Sequence, residues 1–148
     1  MKYIAYGSNM VREQMAYRCP NARLIGMGWL LNHRLEFYLH ATVERSRAKD
    51  ARVPVAVWEI DKADEASLDV YEGVRGGYYS KHARTVHMND GSEIKGMIYL
   101  MDLIRPYPPQ RSYYDGIEKA YRQLGFEEEV HTILEPALDR AWKRERKR

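Results

Sequence analysis

Lys2-Tyr3-Ile4-Ala5-Tyr6-Gly7-Ser8-Asn9-Met10 is a short apolar run that breaks at once into small, polar residues. The alternation of Tyr3 and Ala5 against Ile4 and Tyr6 has the period of a β-strand. Gly7-Ser8-Asn9 carries turn chemistry, the glycine through its freedom at positive φ and the polar pair through side chains that bond nearby backbone. Asn9 is placed to N-cap a helix from Met10 to about Tyr17, so that the loop N–H groups and the helix N-terminus would together face an anion or a carbonyl oxygen. On these nine residues alone, a tight strand-to-helix connection without any ligand fits equally well, because one glycine with two polar residues is a weak motif.

Outward from this start, Pro20 in Arg18-Cys19-Pro20-Asn21-Ala22 ends the helical pattern. Residues 24–30 and 35–39 read as two strands with a turn around Asn32, the first bulged by Gly26 and Gly28. Residues 44–52 have almost no apolar content and read as an exposed loop with function beneath it. Val53 to Ile60 is the strongest strand, alternating and β-branched, and should be central to the sheet. Asp61 can cap a helix from Lys62 to Tyr71, with Ala63, Ala66 and Val70 turned inward beside Leu68, and Gly73 stops it. Tyr78–Met88 and Glu93–Met101 flank Asn89-Asp90-Gly91, a strong hairpin signal. The prolines of 105–109 require an extended surface run. Helices follow over Ser112–Leu124, closed by Gly125, and from about Glu127 into the tail. Strands mixed with small helices, followed by two long helices, indicate α+β with a largely antiparallel sheet or barrel.

A chain of 148 residues fits one domain, 1–148, with a core large enough to need neither metal nor disulfide. No stretch approaches the eighteen or so apolar residues of a membrane span, and the N-terminus enters a strand without a signal core, which predicts a cytoplasmic protein without membrane partners. The single cysteine, Cys19, forbids an internal disulfide and reads as buried or incidental; the five histidines show no metal-ligand spacing. The net charge of +3 is unevenly held. Residues 140–148 carry six basic side chains against Glu145, a net +5 that leaves residues 1–139 at −2. That distribution favours a basic, solvated helix end at the dipole's negative pole over a nucleic-acid contact.

The second informative stretch is Ser67-Leu68-Asp69-Val70-Tyr71-Glu72-Gly73-Val74, with Tyr78-Tyr79 beyond it. Glu72 ends a helix, against a glycine and between Tyr71 and Val74. The helix C-terminus and an apolar setting both disfavour the ionised carboxylate, so a pKa raised above about 4.3 would suit a general acid/base. A solvent-facing Glu72 paired with Arg75 is the plainer alternative.

Together the two stretches resemble the γ-glutamylcyclotransferase family, including its AIG2-like members. Tyr3 to Met10 looks like the family's substrate loop. Cys19-Pro20-Asn21-Ala22, Gly26-Met27-Gly28-Trp29-Leu30, Phe37, Ala41-Thr42 and Val55 to Ile60 are similar to landmarks that follow in order, and the proline run before Tyr113 with Gly125 twelve residues on also fits. Met10 stands where leucine is usual, and residues 44–52 and the region before Tyr113 match poorly.

The resemblance implies a mostly antiparallel β-barrel with flanking helices and carries Glu72 over as the catalytic residue. It implies a metal-free and cofactor-free acyl transfer, in which the α-amine of a γ-glutamyl group attacks its own γ-carbonyl, forming 5-oxoproline and releasing an amine. The substrate-binding residues it implies are Tyr6, Gly7, Ser8, Asn9, Met10 and Tyr113, with a small γ-glutamyl molecule as partner; a homodimer is left open. The same residues would also serve a γ-glutamylamine cyclotransferase acting on another γ-glutamyl amide, and a non-catalytic small-molecule-binding module is the remaining alternative.

Overall fold

The computed structural model describes residues 1–148. Strand β5 (Arg52–Glu59) runs antiparallel between β1 (Lys2–Ala5) and β2 (Arg23–Leu31), as its unbroken apolar, β-branched sequence demands of a strand with neighbours on both sides. β6 (Tyr79–Met88) pairs with β2 and, through the turn at Asn89-Asp90-Gly91, with β7 (Glu93–Met101). A parallel contact of β7 with β1 at Tyr3 and Met97 closes the barrel in the order β1-β5-β2-β6-β7. The expected irregularity in β2 is a register shift between Leu24 and Gly26. Gly28 lets β6 come close: a Cβ there would stand 2.6 Å from the His87 carbonyl oxygen.

β3 (His33–Tyr38) follows β2 after the expected turn at Asn32, which has φ 60°, and does not pair with β2. β3 instead pairs with β4 (His40–Arg45) in a separate two-stranded sheet. The supposed loop 44–52 is shorter than expected, its first two residues belonging to β4 and Arg52 to β5. The loop borders a second cavity of about 440 Å³ with Arg34 and Glu128, separate from the one that holds Glu72.

Helix α1 (Arg12–Arg18) follows a 3-10 turn, Ser8–Met10, and α2 (Lys62–Tyr71) carries a full capping box between Asp61 and Asp64, worth about 1 kcal/mol. The inward face expected of α2 is corrected: Leu68 and Asp64 are buried, while Ala63 and Ala66 are exposed and Val70 is 83% exposed. Gly73, at φ +63°, ends the helix, and Tyr78 lies against it so closely that a Cβ would meet the ring at 2.8 Å.

α3 (Arg111–Gln123) ends at Gly125 with φ +89°. The last helix runs as α4 (Glu127–Glu129), a π-helical stretch Val130–Leu134 and α5 (Glu135–Arg146). Its basic end is solvated only in part: Lys143, Arg146, Lys147 and Arg148 are exposed, whereas Arg140 and Arg144 turn back onto β3. Arg140 Nε donates to Glu36 Oε1 at 2.6 Å and Arg144 Nη1 to Glu36 Oε2 at 3.3 Å, while the same two guanidinium groups cap the carbonyls of Leu35 and Phe37. Glu36 is 1% exposed, so these cations neutralise a charge that β3 buries. Thirty-four buried hydrophobic residues form a contiguous core running from Tyr3 in β1 to Ala141 in α5. No helix is long and apolar enough to cross a membrane.

Candidate active site

The ends of β1 and β7 and the start of β6 lie at one mouth of the barrel, because β6 runs antiparallel to β7 and β1 runs parallel to it. A cavity of about 390 Å³ opens there, lined by Tyr6, Gly7, Ser8 and Asn9 after β1, by Glu72 and Gly73 after α2, and by Tyr79, Tyr99 and Tyr113. The loop and the carboxylate, more than sixty residues apart in sequence, therefore share one chamber.

The polar turn is held from three sides. Met10 N–H donates to the Gly7 carbonyl at 3.0 Å and Val11 N–H to that of Ser8 at 3.1 Å, which closes the 3-10 turn and leaves its leading N–H groups without a partner inside it. Asn9 Nδ2 donates to the Tyr3 hydroxyl at 2.8 Å, Trp58 Nε1 donates to the Asn9 carbonyl at 3.1 Å, and Arg18 Nη1 donates to Asn9 Oδ1. Arg18 also reaches Ser8 Oγ at 3.3 Å and stacks its guanidinium 3.1 Å from the centre of the Tyr71 ring. One side chain of α1 thereby ties the turn to the residue next to Glu72. Ser67 Oγ, donating to the Arg18 carbonyl at 2.8 Å, fixes α1 against α2.

Glu72 is the C-cap of α2, its own N–H bonded to the Leu68 carbonyl at 2.8 Å. Burial pushes its carboxyl up to about 7, opposed by the positive charge of Arg18, and no hydrogen bond to protein stabilises either form. The alternative of a surface ion pair with Arg75 is thereby excluded. Burial likewise raises the hydroxyls of Tyr6, Tyr79 and Tyr113, which stay protonated. Tyr6 already donates to the Tyr99 carbonyl at 2.6 Å and Tyr79 to that of Ala41 at 2.7 Å. Tyr113 only accepts, from Ala41 N–H at 3.0 Å, so its proton remains free for a ligand.

Several expectations change in detail. Asn9 is not an N-cap: Val11 precedes α1, and the Asn9 side chain is buried in the network just described. Gly7 has φ −128°, so the turn does not use positive φ. Met10 is 1% exposed and packs into the core instead of lining the cavity. Cys19 is buried as expected, its thiol pushed up to about 11 and so unreactive. Sequence reasoning missed Arg18, His40 and Arg105, which also line the cavity. Arg18 had one available signal, its position one helical stretch after a polar turn; His40 and Arg105 had none.

A closed five-stranded barrel with a polar turn and a partly buried carboxylate at one mouth is a γ-glutamylcyclotransferase-like architecture. A solved structure described as "Gamma-glutamyl cyclotransferase" superposes with a TM-score of 0.81 at 29% identity, over 90% of this chain and 85% of that one. A model of the family "Gamma-glutamyl cyclotransferase, AIG2-like" matches residues 3–119, and the chain belongs to that family. Gamma-glutamylcyclotransferase of Bos taurus is 32% identical over 123 residues, covering 75% of this chain, and that of Mus musculus 30% identical over 144 residues, covering 89%. The chain spans 64% of the length of the bovine relative and 76% of the murine one.

Proposed function

We propose that this protein cyclises the γ-glutamyl group of a small γ-glutamyl amide to 5-oxoproline, releasing an amine. The observation that carries the reading is Glu72: a carboxylate without a hydrogen-bond partner, held near neutrality in its proton affinity, in the same cavity as the turn Gly7–Asn9. Amine and carbonyl belong to one molecule, so the protein has to fold the chain for attack, move a proton and stabilise an oxyanion.

Glu72, ionised, takes a proton from the substrate's α-ammonium group. The freed amine attacks the γ-carbonyl carbon, forming the ring C–N bond and an oxyanion. Protonated Glu72 then returns the proton to the leaving nitrogen as the oxyanion collapses and the old C–N bond breaks, and the second proton of the new ring nitrogen passes through the regenerated carboxylate to the released amine, which departs as an ammonium ion. A carboxyl titrating at about 7 is basic enough to accept the first proton and acidic enough to give it back. The leading N–H groups of the turn and the free Tyr113 proton are the donors assigned to the substrate carboxylate and the oxyanion. Tyr6 serves as a wall, its hydroxyl being committed to Tyr99. Met10 supports the turn from the core. The test is 5-oxoproline release by the purified protein from a panel of γ-glutamyl amino acids and γ-glutamyl amines; release from at least one is expected, and release from none would overturn the reading.

A further inference from the structure

We propose that Asp69 is a positioning residue for the reaction: it fastens the C-terminal turn of α2, on which Glu72 stands, to the wall of the barrel. The inference rests on the cyclisation reading above and adds the residue that fixes where its carboxylate stands.

The Glu72 side chain has no hydrogen bond to protein, so its place is set by the backbone that carries it. That backbone closes α2 in a doubled turn. Val74 N–H donates to the Asp69 carbonyl and Gly73 N–H to that of Val70, both at 3.1 Å, with Glu72 enclosed between them. The side chain of Asp69 ties the same turn to the barrel. Tyr99 and Lys81 stand directly opposite each other on β7 and β6, and each gives Asp69 one donor: the Tyr99 hydroxyl to Oδ1 at 2.7 Å and Lys81 Nζ to Oδ2 at 2.9 Å. Lys81 also donates to Glu65 Oε2 at 3.0 Å, one helical turn earlier.

Tyr99 brings this tie to bear on the cavity. It is 2% exposed, its ring packs edge-on to Tyr3 with centres 5.9 Å apart, and its carbonyl accepts from Tyr6. Burial, then the bond to Asp69, keeps its phenol protonated, so it remains the donor in a charge-assisted bond. The other contacts of α2 near Glu72 reach α1 instead: Ser67 holds the Arg18 carbonyl, and the Arg18 guanidinium lies on Tyr71. The ionisable groups around Glu72 are Arg18 and the buried, protonated phenols of Tyr3, Tyr6, Tyr79, Tyr99 and Tyr113. The charge that acts on Glu72 is that of Arg18, so Asp69 works through the chain and not through its own charge. With the tie cut, the last turn of α2 is free to lean away from β7 and admit water. Desolvation is what raises the Glu72 carboxyl, so its proton affinity then falls.

The test is a carbon-13 NMR titration of the Glu72 carboxyl in the ligand-free protein, assigned by its absence from Glu72→Gln, alongside 5-oxoproline release. The wild-type carboxyl is expected to titrate at about 7. Tyr99→Phe cuts the tie without changing any charge, and Asp69→Ala cuts it from the other side. Both should lower the proton affinity of Glu72 at least about threefold. Both should also lower kcat about 10-fold with KM nearly unchanged, because the base is displaced while the turn Gly7–Asn9 is not. Asp69→Asn keeps an acceptor for Tyr99 and loses only the ion pair, and Lys81 retains Glu65, so most of the titration and of kcat should be restored. If Asp69→Ala does not fold, Tyr99→Phe and Asp69→Asn still decide the outcome. A Glu72 titration or a kcat unmoved by Tyr99→Phe, or a titration moved as far by Asp69→Asn as by Tyr99→Phe, would overturn the proposal. The expected titrations in a protein that releases no 5-oxoproline would overturn the cyclisation reading and leave Asp69 as the residue that places Glu72.

Discussion

Glu72→Gln should stabilise the protein, and only above a definite pH. Burial raises the Glu72 carboxyl from 4.5 to about 7 in the folded chain. Below about pH 4.5 it is protonated folded and unfolded alike, and the wild type carries no penalty. Between about 4.5 and 7 the unfolded chain releases its proton first, so the folded state binds more protons and wild-type stability falls as pH rises; above 7 the whole penalty stands. Each tenfold change in proton affinity is worth about 1.4 kcal/mol, which sets a ceiling of roughly 3 kcal/mol. Glu72 is partly exposed, and solvent screening reduces this to about 1–2 kcal/mol. Glutamine has nearly the same size and no charge to desolvate, and the carboxylate it replaces has no hydrogen bond to lose. For a chain of this length the gain is about 3–6 °C in Tm at pH 8, shrinking to nothing at pH 4. Thermal unfolding of both proteins across that range is the assay. A Tm difference independent of pH, or a variant less stable at pH 8, would refute the argument that Glu72 is held in a desolvating site.

Other consequences follow from the same geometry. In 5-oxoproline release, kcat/KM should rise with pH through about 7 as Glu72 ionises, and Arg18→Met should move that limb to higher pH, because it removes the cation that favours the carboxylate; a limb that stays in place would separate Arg18 from Glu72. The same variant frees Asn9 and Ser8, so KM should rise as well. Arg140→Met leaves Glu36 buried with fewer partners and should cost about 3 kcal/mol in urea unfolding while leaving the pH profile of turnover unmoved; a loss under about 1 kcal/mol would mean that Arg144 and Arg34 suffice to neutralise Glu36.

What the sequence disclosed was local. The β5 strand, the Asp61 cap, the Asp90-Gly91 turn and the stops at Gly73 and Gly125 are each decided within a few residues, and the structure has them where the sequence places them, although β5 is buried on both faces and not alternately. The misreadings concern side chains whose destination depends on distant partners. Asn9 is an acceptable N-cap by type, but Tyr3, Arg18 and Trp58 converge on it and draw it into the core. Val70 is apolar, yet it lies on the α2 face that no strand covers, while Asp64 is buried because the capping box satisfies it. The basic residues 140 and 144 look like a solvated end until Glu36, about a hundred positions earlier, is seen beneath them.

The candidate site was legible to the same depth. Gly7, Ser8, Asn9 and Glu72 sit in motifs that can be read in order, whereas Arg18, His40 and Arg105 are single residues in three separate segments, brought together only by closure of the barrel and the packing of β4 across its mouth.

The central claim, that Glu72 shuttles the proton in an intramolecular acyl transfer, is tested most directly by 5-oxoproline release from an accepted γ-glutamyl amide. Wild type and Glu72→Gln would be compared at pH 8, with thermal unfolding confirming that the variant is folded. Turnover by the variant is expected to fall by at least about 100-fold, the loss typical of removing a general acid/base. Equal rates for the two proteins would contradict the account at its base.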